Sequence, residues 1–151
     1  MRSSLLLLAL VTFPVFACPN LAGVYTSCRS STDPSALTQV VIEQKIVNKY
    51  FQYTFTTQEL KLDSNPRVEK YVADGRMKIV SDTDSDTGIM IKTETVTTCQ
   101  DNGLNIKMNA TVDSESLANI TIKTFKEGNR LTQIFSGISM GNPVSDTIVC
   151  E

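Results

Sequence analysis

Four cysteines, Cys18, Cys28, Cys99 and Cys150, and the absence of histidine set the limits of the chemistry available to this chain. Without histidine a Ser-His or Cys-His nucleophile cannot be assembled. The cysteines show none of the CxxC or paired spacings of a zinc or copper site. In an oxidising compartment an even set of four reads as two disulfides, with three connectivities open. Glu43, Glu69 and Glu94 fall on strand-like segments and are the carboxylates on hand for glycoside hydrolysis. Nothing in their spacing sets the separation that reaction needs, and carboxylates on strands are ordinarily solvated. The chain therefore reads as non-enzymatic, with no cofactor.

Asp82, Asp84, Asp86 and Gly88 make Asp-x-Asp-x-Asp-x-Gly, an alternation that can gather carboxylates around a hard cation such as calcium. In an EF-hand loop the glycine comes one residue earlier and a glutamate stands twelfth, where this chain has Thr93, so a solvated acidic loop is the preferred reading. Phe51, Tyr53 and Phe55 alternate with Gln52, Thr54 and Thr56, and Ile106 and Met108 alternate with Lys107 and Asn109. On extended backbone each apolar set shares one face. Such a face either walls a pocket for a small apolar ligand or fills a barrel interior. Asn109-Ala110-Thr111 and Asn119-Ile120-Thr121 match the N-glycosylation acceptor, which matters only in a eukaryotic secretory route.

The elements that position these residues begin after an export leader. Arg2 supplies a positive start, Leu5 to Val11 is an apolar run too short to cross a bilayer, and Val15-Phe16-Ala17 offers a cleavage site before Cys18. An alternative reading makes Val15-Phe16-Ala17-Cys18 a lipoprotein box with an acylated Cys18, which would be the protein's only membrane attachment. Removing residues 1–17 from the 151-residue chain leaves 134, one domain with room for a hydrophobic core. The leader takes one of fourteen Lys and Arg and none of sixteen Asp and Glu, so the mature formal charge is −3. That balance argues against the basic stripe of a nucleic-acid binder. The expected location is secreted or periplasmic, or the outer membrane if a lipid is attached.

Residues 18–151 read as consecutive strands. Val40, Ile42 and Ile46 share a parity that Gln44 interrupts, and Leu104, Ile106, Met108, Ala110 and Val112 alternate with polar residues. Asn48-Lys49, Asp74-Gly75, Asp101-Asn102-Gly103, Glu127-Gly128-Asn129 and Gly141-Asn142-Pro143 mark turns. Asp74-Gly75 predicts a hairpin between Val68–Ala73 and Arg76–Val80. No sustained helical period appears. The expected fold is all-β, an up-and-down antiparallel barrel of about eight to ten strands, closed or nearly so. If strands simply alternate direction, Cys99 and Cys150 end where Cys18 begins, and Cys28 is left at the far end without an obvious partner.

Asn20-Leu21-Ala22-Gly23-Val24-Tyr25 resembles the opening of lipocalin-like (calycin) barrels, in which a glycine, one residue and a tryptophan start the first strand and close the barrel floor. Tyr25 stands where that family has tryptophan. The resemblance implies a basic side chain packed on this ring, a role for which Arg130 is available, and an interior that takes a small hydrophobic ligand. The wall would include Phe51, Tyr53, Phe55, Ile106 and Met108. The alternative is a filled barrel that works through its surface on an envelope protein, as an interaction or inhibitor module.

Overall fold

In the computed structural model, residues 18–60, 65–83 and 87–151 are described; the leader at 1–17, Asp84 and Asp86 lie outside them. Ten strands follow one another, all antiparallel: β1 (Gly23–Ser30), β2 (Leu37–Val47), β3 (Tyr50–Glu59), β4 (Arg67–Val72), β5 (Met77–Thr83), β6 (Met90–Gln100), β7 (Gly103–Val112), β8 (Glu115–Glu127), β9 (Arg130–Ser139) and β10 (Asn142–Cys150). They form one sheet in the order β4-β3-β2-β1-β10-β9-β8-β7-β6-β5, curled into a half-barrel. The all-β, up-and-down reading therefore holds, and the architecture is consistent with a lipocalin-like fold.

Local chemistry explains most of the connections. Asn48-Lys49, Asp101-Asn102 and Asp113-Ser114 all have positive φ, the backbone that tight two-residue turns between right-twisted strands require. Asp74-Gly75 behaves differently, and the predicted hairpin does not form. Gly75 has φ of 69° whereas Asp74 is not in the positive region, so the paired left-handed geometry of a tight hairpin is missing. Instead the N–H of Gly75 donates to the carbonyl of Thr97 on β6 at 3.0 Å, and that of Ala73 to the carbonyl of Phe51 on β3 at 2.9 Å. The connection thus ties the two ends of the sheet together, while β4 pairs with β3 and β5 pairs with β6. Among the described residues no strand pairing closes the sheet between β4 and β5.

The four cysteines form two disulfides, Cys18–Cys99 and Cys28–Cys150. The first joins the ends that strand alternation brings together. The second corrects the expectation for Cys28, which does have a partner. β1 and β10 are staggered: only Arg29↔Val149 and Ser30↔Ile148 pair, so Cys28 meets the last residue of β10 while the earlier half of β1 runs past its end. Stagger of this kind accompanies strand tilt in any curled sheet. A bulge between Tyr25 and Cys28 lets both point inward although they are three residues apart.

One end of the half-barrel is a packed floor. Leu21, Tyr53, Leu104, Leu131 and both sulfurs of Cys28–Cys150 belong to fully buried residues there. Residues 18–22 join this packing, held by Cys18–Cys99 and by hydrogen bonds from Tyr53 Oη to the Pro19 carbonyl (2.8 Å) and from Leu21 N–H to Gln44 Oε1 (3.2 Å). Gln44, the polar interruption in an apolar strand face, is the acceptor that receives the incoming chain. Burial pushes the Tyr53 hydroxyl up to about 12, so it remains a donor throughout the neutral range.

Candidate functional site

Above the floor the inner face stays open. A cavity of about 350 Å³ lies between the wall formed by β2–β4 and the wall formed by β7–β10. Val40 and Phe55 line it from the first wall, and Ile106, Met108, Ile122, Phe135 and Ile148 from the second. Strand register explains how residues distant in sequence meet here. Ile106 stands directly opposite Ile122, which stands opposite Phe135, so one rung of β7–β8–β9 presents three large apolar side chains side by side. Across the space, Phe55 contacts the Tyr71 ring edge-on, with centroids 5.8 Å apart.

The polar groups gather on β4. Arg67 donates to Glu69 Oε1 at 2.7 Å, and these side chains are 79% and 36% exposed, which marks the place where the cavity meets solvent. Tyr71 stands two residues further along the same face. Its hydroxyl is held well above the ordinary tyrosine range, first by burial and then by the adjacent Glu69 carboxylate, which it hydrogen-bonds. Thr38, Thr57 and Gln133 supply the remaining polar lining. A volume of several hundred cubic ångströms, mostly apolar, with a few polar groups at one side is the composition of a small-molecule site.

Of the residues singled out from sequence, Phe55, Ile106 and Met108 reach this cavity. Tyr53 is fully buried in the floor, and Phe51 packs against the core without lining the cavity. Ile122, Phe135, Ile148 and Tyr71 were not singled out. Strict alternation from Leu104 identifies one strand face, but only the cross-strand register shows which neighbours share it. Asp82 lies on β5 opposite Ile91, and among the described residues no group of three His, Cys, Asp or Glu side chains converges. Glu43, Glu69 and Glu94 sit on β2, β4 and β6, and Glu94 is engaged by Lys92 at 2.7 Å, a hydrogen bond that lowers its pKa. Asn109 and Asn119 face each other across β7 and β8.

A second concavity of about 540 Å³ lies where β6 begins and β7 turns into β8, lined by Ile89, Ile91, Val112 and Leu117 with Asp113 and Glu115 nearby. Among the described residues its lining comes from one wall, the start of β6 with the segment before it and the β7–β8 turn, so these residues cover an occupant from one side. At the floor, Lys126 rather than Arg130 packs on the Tyr25 ring, with Nζ 5.7 Å from the centroid and also donating to the Ala22 carbonyl at 3.3 Å. That ring folds back over Gly23, where a Cβ would meet Tyr25 Cζ and Oη at 3.1 Å, which accounts for a glycine two residues before the aromatic. Comparison of the chain with protein-family models, curated proteins and solved structures returns no match, so its functional reading rests on the inner face of the sheet.

Proposed function

We propose that this protein is an exported, non-enzymatic half-barrel that binds a small apolar or amphipathic ligand. The observation that carries the reading is the cavity between two walls, apolar on Phe55, Ile106, Ile122 and Phe135 and polar at Arg67, Glu69 and Tyr71. An amphipathic molecule satisfies both regions at once: its chain removes apolar surface from water at roughly 25 cal/mol per Å², and its head reaches solvent beside β4. Two disulfides are compatible with an extracellular or periplasmic location. A Cys18 sulfur bonded to Cys99 has no valence left for a lipid, which favours ordinary cleavage of the leader over acylation. Lys126 on Tyr25, with the close approach of Gly23, supports the lipocalin-like likeness at the floor.

The test is titration of the oxidised protein with a polarity-sensitive naphthalene sulfonate dye. Saturable fluorescence enhancement, displaced by fatty acids and lost in Ile106→Arg, is expected, provided that the variant's circular dichroism matches the parent. Absence of saturable binding to the folded protein would favour the filled-barrel reading, in which the protein acts through its surface on another envelope protein.

A further inference from the structure

The β5 edge has hydrogen-bonding groups directed away from β6 and, among the described residues, no strand beside them. All seven of its residues, Met77-Lys78-Ile79-Val80-Ser81-Asp82-Thr83, are exposed, including Met77 at 57%, Ile79 at 53% and Val80 at 49%. An unpaired edge carrying apolar side chains invites another strand, and natural edges are usually blunted by charge, proline or a bulge. This edge has charges, but their placement is particular. Lys78 and Asp82 share the inner face with Val80 midway between them, opposite Thr95, Ile91 and Thr93 of β6. Among the described residues neither makes an ion pair, and Asp82 accepts from the neighbouring Thr83 N–H at 2.9 Å.

We infer that β5 pairs antiparallel with β5 of a second copy of this chain about a two-fold axis through Val80. A two-fold strand pair keeps face and hydrogen-bonding parity only when the axis passes through a residue. Centring on Lys78 or Asp82 sets like charges opposite each other, and centring on Ile79 or Ser81 sets a charge opposite Val80. Centring on Val80 sets Lys78 opposite Asp82 twice, places the two Val80 side chains together, and brings the two Ile79 side chains into diagonal contact on the outer face. The strand is thus complementary to itself in one register. On the other edge the corresponding charges, Arg67 and Glu69 of β4, already pair with each other within the strand.

The experiment is sedimentation equilibrium of the oxidised full chain and two charge variants, Lys78→Asp and Asp82→Lys, over a wide concentration range. The wild type is expected to dimerise reversibly. Each variant alone presents like charges at both symmetry-related pairs and should self-associate about thirty-fold more weakly. An equimolar mixture of the two variants restores opposite charges at every pair and should dimerise again. A wild type that stays monomeric at its solubility limit overturns the inference, as do variants that dimerise like the wild type or a mixture that remains monomeric. Both positions are exposed, so thermal melting of each variant should match the parent and separate lost pairing from lost folding.

Discussion

Gly137 stands inside β9, opposite Ile120 of β8 and Val144 of β10, with φ of 150°. A Cβ at this position would overlap the Asn119 carbonyl oxygen and come within 3.0 Å of the Asn119 carbonyl carbon and of Ile120 Cα. These are backbone atoms of the neighbouring strand, which cannot rotate aside as a side chain can. Gly137→Ala must therefore either part β8 from β9 locally or move the residue out of its present backbone conformation. Overpacking of this kind costs about 1–3 kcal/mol and a sparsely allowed backbone about 1–3 kcal/mol, so a combined loss of about 3 kcal/mol is a moderate expectation. For ~134 residues at about 2.1 cal/mol/K each, the unfolding entropy is about 0.28 kcal/mol/K, and the melting temperature should fall by about 10 °C. Circular dichroism melting of the oxidised protein measures this. Gly128→Ala is the control: its φ is also positive, at 61°, but a Cβ there meets nothing within 4 Å, so only the conformational cost of about 1 kcal/mol remains. If Gly137→Ala melts no lower than Gly128→Ala, the close approach of β8 and β9 is not what requires a glycine.

Asp146 accepts hydrogen bonds from Ser30 Oγ (2.8 Å), from Ser31 Oγ (2.8 Å) and N–H (3.1 Å), and from the N–H groups of Thr32 (3.3 Å) and Thr147 (2.8 Å). Partial burial raises its pKa, but the bonds from Ser31, Ser30, Thr32 and Thr147 together outweigh burial, and the net direction is down. A depressed carboxylate stabilises the fold above its unfolded value of about 3.9 and loses that contribution as pH falls through the folded value. Asp146→Asn should cost about 1 kcal/mol at neutral pH, a figure kept small by solvent screening, and its melting deficit should shrink below about pH 4; a deficit unchanged at lower pH would contradict the assignment. Cys18→Ser with Cys99→Ser opens a loop closed over a separation of 81 residues, for which chain entropy gives a ceiling of about 4.5 kcal/mol and ordinary experience about 2–4 kcal/mol. Melting should drop by about 7–14 °C, and peptide mapping of the parent without reductant should recover Cys18 with Cys99 and Cys28 with Cys150. Any other pairing would refute the stagger of β1 on β10.

Period-two alternation is a property of neighbouring residues, so β7, with Leu104, Ile106 and Met108 on one face, was legible without any tertiary knowledge, as were the turns at Asn48-Lys49 and Asp101-Asn102. The class of fold followed from their repetition. Gln44 also carried a readable signal, a polar side chain on an apolar face, although its role as acceptor for Leu21 needs the floor to be assembled. The separation of β4 from β5 was not legible, because Asp74-Gly75 has the composition of a hairpin and only the competing bonds of Ala73 to Phe51 and Gly75 to Thr97 divide the strands between opposite edges. Nor was the partner of Cys28, which depends on a bulge in β1 and an offset along β10, both set by how the whole sheet curls. The same holds for the cavity. Sequence determined which side chains face inward, but Tyr53 lies in the floor and Phe135 on the wall because depth along a tilted strand is fixed by register with neighbours far away in the chain, and register is a tertiary quantity.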